Sequence, residues 1–166
     1  EYIHIPLIHG EDGKKLSKRH GAVDINDFKR DGFLPEAIIN YLLQIGISFD
    51  EKELFGLSEA IEKFKINIIK KSPSIFDYEK ISFLNSKHID KIDSILLIKI
   101  LNNHFNSKLD EKDNNIVDII DILKLRIKTL KELKNEVLIY IDDNYLDNND
   151  FKIDKDQIKI INNFIE

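Results

Sequence analysis

Cysteine does not occur in the sequence, and neither do methionine and tryptophan. The first absence excludes disulfides and thiolate metal sites and is compatible with a reducing cytoplasm. A chain that opens at Glu1 and holds no Met reads as an internal piece of a longer protein. Proline is limited to three residues and glycine to six, in 166 residues of which 42% are hydrophobic and 33% charged. That balance is globular and favours helix over sheet. Long apolar runs are missing too. The most apolar one, Ser94 to Leu101, is interrupted by Lys99 and falls far short of the ~20 residues of a bilayer crossing. No signal peptide is visible, and no membrane partner is expected. Positive charge is in deficit, with a net charge of -5. A polyanionic partner would therefore have to be met by local basic patches.

What is present reads as mainly α, with a short β segment in front. Residues 1–9 alternate loosely and suggest a strand, and Gly10 to Gly13 a turn. Asp24 can cap a helix through Arg30 that Gly32 ends, and Pro35 opens a second helix at a first-turn position. Ile38, Ile39, Leu42, Leu43 and Ile45 would form its apolar face, stopping near Gly46. Short helices follow at 58–64 and, after a Ser-Pro-Ser break at 72–74, from the Asp77 cap to about Leu84. A fifth helix runs from Asp93 to about His104. The polar stretch 106–115 reads as a linker. One or two helices over 116–141, a second polar gap at 142–150 and a last helix from about Asp154 complete two helical lobes.

The densest positive charge lies in GEDGKKLSKRHGA, residues 10–22. Lys14, Lys15, Lys18 and Arg19 are bracketed there by Gly13 and Gly21. Lysines on both sides of Ser17, in a loop that glycines let flex, can wrap a polyphosphate through ammonium charge, hydroxyl and backbone N–H. The plainer reading of such a run is a solvated surface loop. A Walker A loop is excluded, because Gly-Lys-Ser/Thr at the required spacing is absent. His4, His9, His20, His88 and His104 show no zinc pattern, so no metal site is expected in this chain.

If 116–137 is one helix, Ile119, Leu123, Leu130, Leu133 and Val137 share an apolar stripe with Arg126 in its remaining place. A guanidinium there must find a carboxylate such as Glu132 or Glu136, reach the rim, or await a ligand. Lys124, Lys128, Lys131 and Lys134 are spaced to share the opposite face. That face is either solvated or phosphate-tracking. Most Phe and Tyr sit at helical spacing and read as core. Phe76, Tyr78 and Phe83, beside the Ser-Pro break, are the exceptions with a possible base-stacking role.

The string Lys15-Leu16-Ser17-Lys18-Arg19 resembles the KMSKS signature of class I aminoacyl-tRNA synthetases. Four blocks, HIPLIHGEDGKKLSKRHGA, FKRDGFLPEAIINYLLQIG, SPSIFDYEKISFLN and RIKTLKEL, are similar in order and spacing to landmarks of bacterial glutamyl-tRNA synthetases. The resemblance covers nearly the whole chain. It implies a parent enzyme of the cytoplasm, expected to be monomeric, that activates L-glutamate with ATP and Mg²⁺ and transfers it to tRNA(Glu), or also to tRNA(Gln). It implies that Lys15, Leu16, Ser17, Lys18 and Arg19 form the ATP-facing loop, with Lys18 stabilising charge on the departing pyrophosphate. Leu16 for the signature's Met is a volume-conserving change.

By the same resemblance residues 1–23 end the catalytic part, and 24–105 form the stem-contact region and the start of the anticodon-binding part. Residues 106–166 are then a truncated anticodon-binding bundle. Arg126 becomes a reader near the anticodon, with Lys124, Lys128 and Lys131 as tRNA contacts. The family's His-Ile-Gly-His signature is absent, so this fragment alone is expected to be inactive. Two other readings remain at this point. One is a glutaminyl-type synthetase fragment, and the other a non-enzymatic helical module whose basic loop binds an acidic partner.

Overall fold

The structure, a computed structural model, describes residues 2–3, 5–17, 24–47 and 54–141. Lys18, Arg19 and the helix expected from Asp154 lie outside the described residues. Within them the chain folds as β1 (Ile8–His9), α1 (Ile25–Asp31), α2 (Pro35–Gly46), α3 (Leu57–Lys63), a 3₁₀ turn (Ile66–Ile68), β2 (Ser74–Ile75), α4 (Tyr78–Asp90), α5 (Ser94–Phe105), α6 (Asn114–Leu123) and α7 (Leu130–Ile141). The mainly helical expectation with a short β segment holds at this level.

Local chemistry sets most boundaries. The Asp24 carboxylate accepts the Asn26 N–H at 2.8 Å, and Gly32 at φ 82° closes α1 with its N–H turned back onto Phe28 and Lys29. Only a residue without Cβ takes that left-handed turn at no cost. Asp77, Asp93 and Asp113 cap α4, α5 and α6 in the same way as Asp24. Thr129 and Glu132 form a reciprocal box at the start of α7. The Thr129 hydroxyl accepts the Glu132 N–H at 3.2 Å, while the Glu132 carboxylate accepts the N–H groups of Lys128 and Thr129 at 2.5 and 3.3 Å.

Several expectations need correction. Among the described residues the strand expected over 1–9 is limited to Ile8–His9, which pairs in parallel with the two-residue β2. Tyr2, Ile3, Ile5 and Leu7 are exposed. On α2 the core face is Ala37, Ile38, Asn40 and Tyr41, whereas Leu42 is 47% exposed. The side of Ile39, Leu42 and Leu43 instead lines an open apolar groove of about 550 Å³ with Ile5 and Phe64. Helix α4 continues past Leu84 to Asp90, because the side chain of Asn85 turns inward and is fully hydrogen-bonded.

The helical region over 116–141 is two helices, broken at 124–129. The segment 106–115 carries Leu109 into the core, held by Asn102, which donates to its carbonyl at 2.8 Å and accepts its N–H at 2.7 Å. One apolar cluster joins Leu34 and Ala37 to Leu97, Leu101, Ile120 and Leu133. The expected lobe boundary therefore does not coincide with a break in the core. A second, aromatic cluster packs Phe28, Phe33 and Tyr41 beneath α4.

Candidate functional site

The front loop is held as the edge of a small β arrangement. Gly10 and Gly13 form the turn, with the Gly13 N–H on Gly10 at 3.0 Å and the Gly10 N–H on the Lys14 carbonyl at 2.8 Å. Gly13 sits at φ 73°. Lys15 then bridges antiparallel to His9, and the Leu16 N–H donates to the Ile8 carbonyl at 2.9 Å. On its other side β1 is fixed by Phe76, whose N–H donates to the His9 carbonyl at 2.7 Å. The two-residue alternation of an extended chain places Lys15 and Ser17 on one side and Leu16 on the other. Accordingly Lys15 and Ser17 are exposed and Leu16 is half-buried. An ammonium and a hydroxyl on one exposed edge suit an anionic phosphate. Lys18 and Arg19 follow directly in sequence, outside the described residues.

The second set of expected residues does not form one helical face, because Arg126 and Lys128 stand in the 124–129 connection. Lys124 is the most enclosed. Its ammonium meets Asp121 at 2.8 Å, the Ser94 hydroxyl at 3.2 Å and the Ile92 carbonyl at 3.3 Å. Those bonds from Lys124 and Ser94 hold the Asp121 carboxyl below its ordinary pKa. Arg126 is 56% exposed and pairs with Glu136 at 3.2 Å. It is not part of an apolar stripe; Ile127, 4% exposed, takes the buried place.

Lys128 pairs with Glu79 at 2.8 Å, and that carboxylate raises the ammonium's pKa. Lys131 pairs with Asp31 at 3.1 Å, and the Lys134 ammonium lies 5.6 Å from the Phe105 ring centre. Arg126, Lys128 and Lys131 thus stand at the solvent boundary around the start of α7. Exposed pairs of this kind add little to stability.

Of the aromatic residues beside the Ser-Pro break, Phe76 packs edge-on to Tyr41 at 5.4 Å and Tyr78 stacks on Phe28 at 6.5 Å. Phe76 packs against the aromatic core, whereas Tyr78, 43% exposed, stacks at its rim. Phe83, between the buried Ser82 and Leu84 of α4, is 38% exposed.

Sequence reasoning missed two buried amides. Asn85 accepts the Leu34 N–H at 2.8 Å and donates to the Lys128 carbonyl at 2.7 Å. Asn40 accepts the Phe55 N–H at 3.3 Å and meets the His88 imidazole at 3.1 Å. The periodicity of apolar residues carries no mark of either. Among the described residues no group of three or more His, Asp or Glu is placed to hold a metal ion.

Against this geometry, the family model described as tRNA synthetases class I (E and Q), catalytic domain, matches residues 1–83. The chain belongs to that family. The match spans the front loop and runs on through α1, α2, α3 and most of α4, well beyond the 1–23 segment that the sequence reading gave to the catalytic part.

Two glutamate–tRNA ligases 2 of Ehrlichia ruminantium, strains Gardel and Welgevonden, are 41% and 40% identical to the chain over 148 residues. Each alignment covers 86% of this chain and 32% of the relative. A crystal structure of a glutamate tRNA ligase from Elizabethkingia meningosepticum in complex with its amino acid superposes with a TM-score of 0.70 at 26% identity, over 82% of this chain and 31% of that one. The glutamate-tRNA synthetase of Elizabethkingia anophelis gives 0.68 at 27% identity, over 82% of this chain and 32% of that one. The chain thus spans about a third of the length of these curated relatives and solved structures.

Proposed function

We propose that the chain is the segment of a glutamate–tRNA ligase that carries the KMSKS-like loop, the helices contacting the tRNA stem and the first part of the anticodon-binding bundle. The observation that carries this reading is the pinned edge Lys15-Leu16-Ser17. There β1 fixes a lysine and a serine on one exposed face immediately ahead of Lys18. In this reading ATP is a substrate, and its Mg²⁺ is held through the phosphates rather than by side chains of this chain.

Lys15 and Ser17 would steady the triphosphate. Lys18 would stabilise the negative charge that moves onto pyrophosphate as the adenylate forms, and Arg19 would add to the local field. A cation aimed where charge develops lowers the barrier directly. L-Glutamate and the adenine nucleotide would be bound mainly by a nucleotide-binding fold carrying the His-Ile-Gly-His signature, which this sequence does not contain. The stem-contact assignment of 24–105 begins inside the stretch that matches the catalytic-domain model. The anticodon role of 106–166 rests on the resemblance and on the exposed cations of the α6–α7 connection.

The partners are tRNA(Glu) and, in a non-discriminating parent, tRNA(Gln), with a monomeric enzyme in the cytoplasm. Two assays on the 166-residue chain test the reading. It should give no ATP–pyrophosphate exchange, yet retard a tRNA(Glu) transcript in a salt-sensitive way. Exchange activity from this chain, or no binding of the transcript at low salt, would refute it.

A further inference from the structure

The last carbonyls of a helix have no partner within it, and at the end of α2 the chain leading into β2 supplies donors for them. The Lys70 ammonium donates to the Gln44 carbonyl, the Ser74 hydroxyl to that of Ile45 at 2.7 Å, and the Lys70 N–H to that of Gly46 at 3.0 Å. Just past β2 the Asp77 N–H donates to the Tyr41 hydroxyl at 2.6 Å. The Tyr41 ring, 1% exposed, packs edge-on to Phe76. Thus β2 is fastened to α2 at both ends, by Ser74 at its first residue and by Tyr41 beyond its last. In turn β2 carries β1, through the pairs Ile8–Ser74 and His9–Ile75 and the Phe76 N–H on the His9 carbonyl. The Lys15-Leu16-Ser17 edge hangs on β1. We propose that Tyr41 and Ser74 are positioning residues for the triphosphate loop. They fix β2 on α2, and so set where β1 presents Lys15 and Ser17 and where Lys18 begins. The proposal goes beyond the ligase reading above and rests on it.

A ladder of two residues a side does not hold a loop by itself. Burial adds little, since Ile75 is 59% exposed and Ser74 carries no apolar bulk. The place of β2 therefore depends on the bonds that fasten it to α2. Those bonds matter to the reaction through geometry. A cation stabilises developing charge only where it is aimed, and a misplacement of about 1 Å can cost about 10²-fold in rate. If the two side chains served the fold alone, their loss would lower the melting temperature without singling out the ATP step.

The test uses a full-length ligase containing this segment and measures ATP–pyrophosphate exchange with tRNA(Glu) saturating. Tyr41→Phe keeps the ring on Phe76 and removes the acceptor of the Asp77 N–H. Ser74→Ala removes the donor to Ile45. Each should lower kcat/KM for ATP about tenfold and leave the KM for glutamate unchanged. Ser74→Thr, which keeps the hydroxyl, should restore most of the rate. Asn102→Ala serves as the control for lost stability. It removes the two bonds to Leu109 in the segment after α5, and should lower the melting temperature without changing either exchange constant.

If Lys18→Ala slows exchange while Tyr41→Phe and Ser74→Ala match the unaltered ligase, the positioning role is overturned and the ligase reading stands. If Asn102→Ala slows exchange as much as they do, or if the KM for glutamate rises along with that for ATP, the effect is general loosening and the proposal is likewise overturned. If Lys18→Ala also exchanges at the unaltered rate, the loop assignment and this proposal fall together.

Discussion

The buried carboxamide of Asn85 donates to the carbonyl of Lys128 at 2.7 Å and so ties α4 to the connection that carries Arg126 and Lys128. Its oxygen accepts the Leu34 N–H at 2.8 Å, which fixes the start of α2 as well. One side chain thus fixes the α1–α2 corner, α4 and the α6–α7 connection. Replacing it by Ala leaves a buried donor and a buried acceptor unpaired, so Asn85→Ala should lower the unfolding free energy by about 3 kcal/mol. Asn85→Asp should cost at least as much at neutral pH, because a carboxylate cannot donate to the Lys128 carbonyl. Urea titration of the variants reads both values. An Asn85→Ala midpoint equal to that of the parent chain would remove this residue from the account.

Gly32 and Gly46 make a matched pair. A Cβ on Gly32 would stand 2.7 Å from the Lys131 nitrogen and 2.9 Å from the Leu130 Cβ, at φ 82°. Both the left-handed turn and the close approach of α7 forbid it, so Gly32→Ala should lose more than about 2 kcal/mol. Gly46 has open space around its Cβ position, and Gly46→Ala should be neutral or stabilising by up to about 1 kcal/mol. Equal melting temperatures for the two variants would contradict the packing of α1 on α7.

His88 makes stability depend on pH. Burial lowers its pKa from the ordinary value of 6.5, opposed by Glu36 and reinforced by Lys91. The folded protein favours the neutral imidazole, and the unfolded chain binds the proton more readily. The contribution is therefore complete above 6.5, is lost as pH falls from there to the lowered folded value, and is level below it. Unfolding curves between about pH 7.5 and 5.5 should show this loss in the parent chain and not in His88→Gln. A parallel pH dependence in the two proteins would place the titration elsewhere.

The fold was legible where local chemistry decides it. Asp24, Gly32, Pro35, Asp77 and Asp93 mark helix ends in the sequence, and the structure uses each of them as a cap, a stop or a first turn. It was illegible where tertiary contacts override a local preference. The helix from Asp77 is expected to stop near Leu84, and the Asn85 amide just beyond it is a group that can compete with the helical backbone. Inside this fold the amide is satisfied by Leu34 and Lys128, and the helix continues. Arg126 read as part of a stripe because the steps of three and four run unbroken across 119–137. The Thr129–Glu132 box that divides the stretch into two helices needs the same residues that a continuous helix would tolerate. In the front loop, the motif could be read but its anchoring could not. The β1–β2 pairing joins residues 8–9 to 74–75, and no periodicity predicts a partner so far along the chain.

Arg126 separates a structural role from a recognition role. Its pair with Glu136 is exposed on both sides, so Arg126→Ala should leave stability within about 0.5 kcal/mol of the parent chain. If it contacts tRNA near the anticodon, the same variant should weaken binding of a tRNA(Glu) transcript severalfold, and Arg126→Lys should restore only part of it. Normal binding by Arg126→Ala would leave the arginine as a surface ion pair alone.

The most direct measurement concerns Lys18, which follows the edge fixed by β1. In a full-length ligase containing this segment, Lys18→Ala should slow ATP–pyrophosphate exchange by about two orders of magnitude or more, as expected when a donor is removed from developing charge. The KM for glutamate should change little. An exchange rate equal to that of the unaltered ligase would contradict the assignment of this loop to the triphosphate.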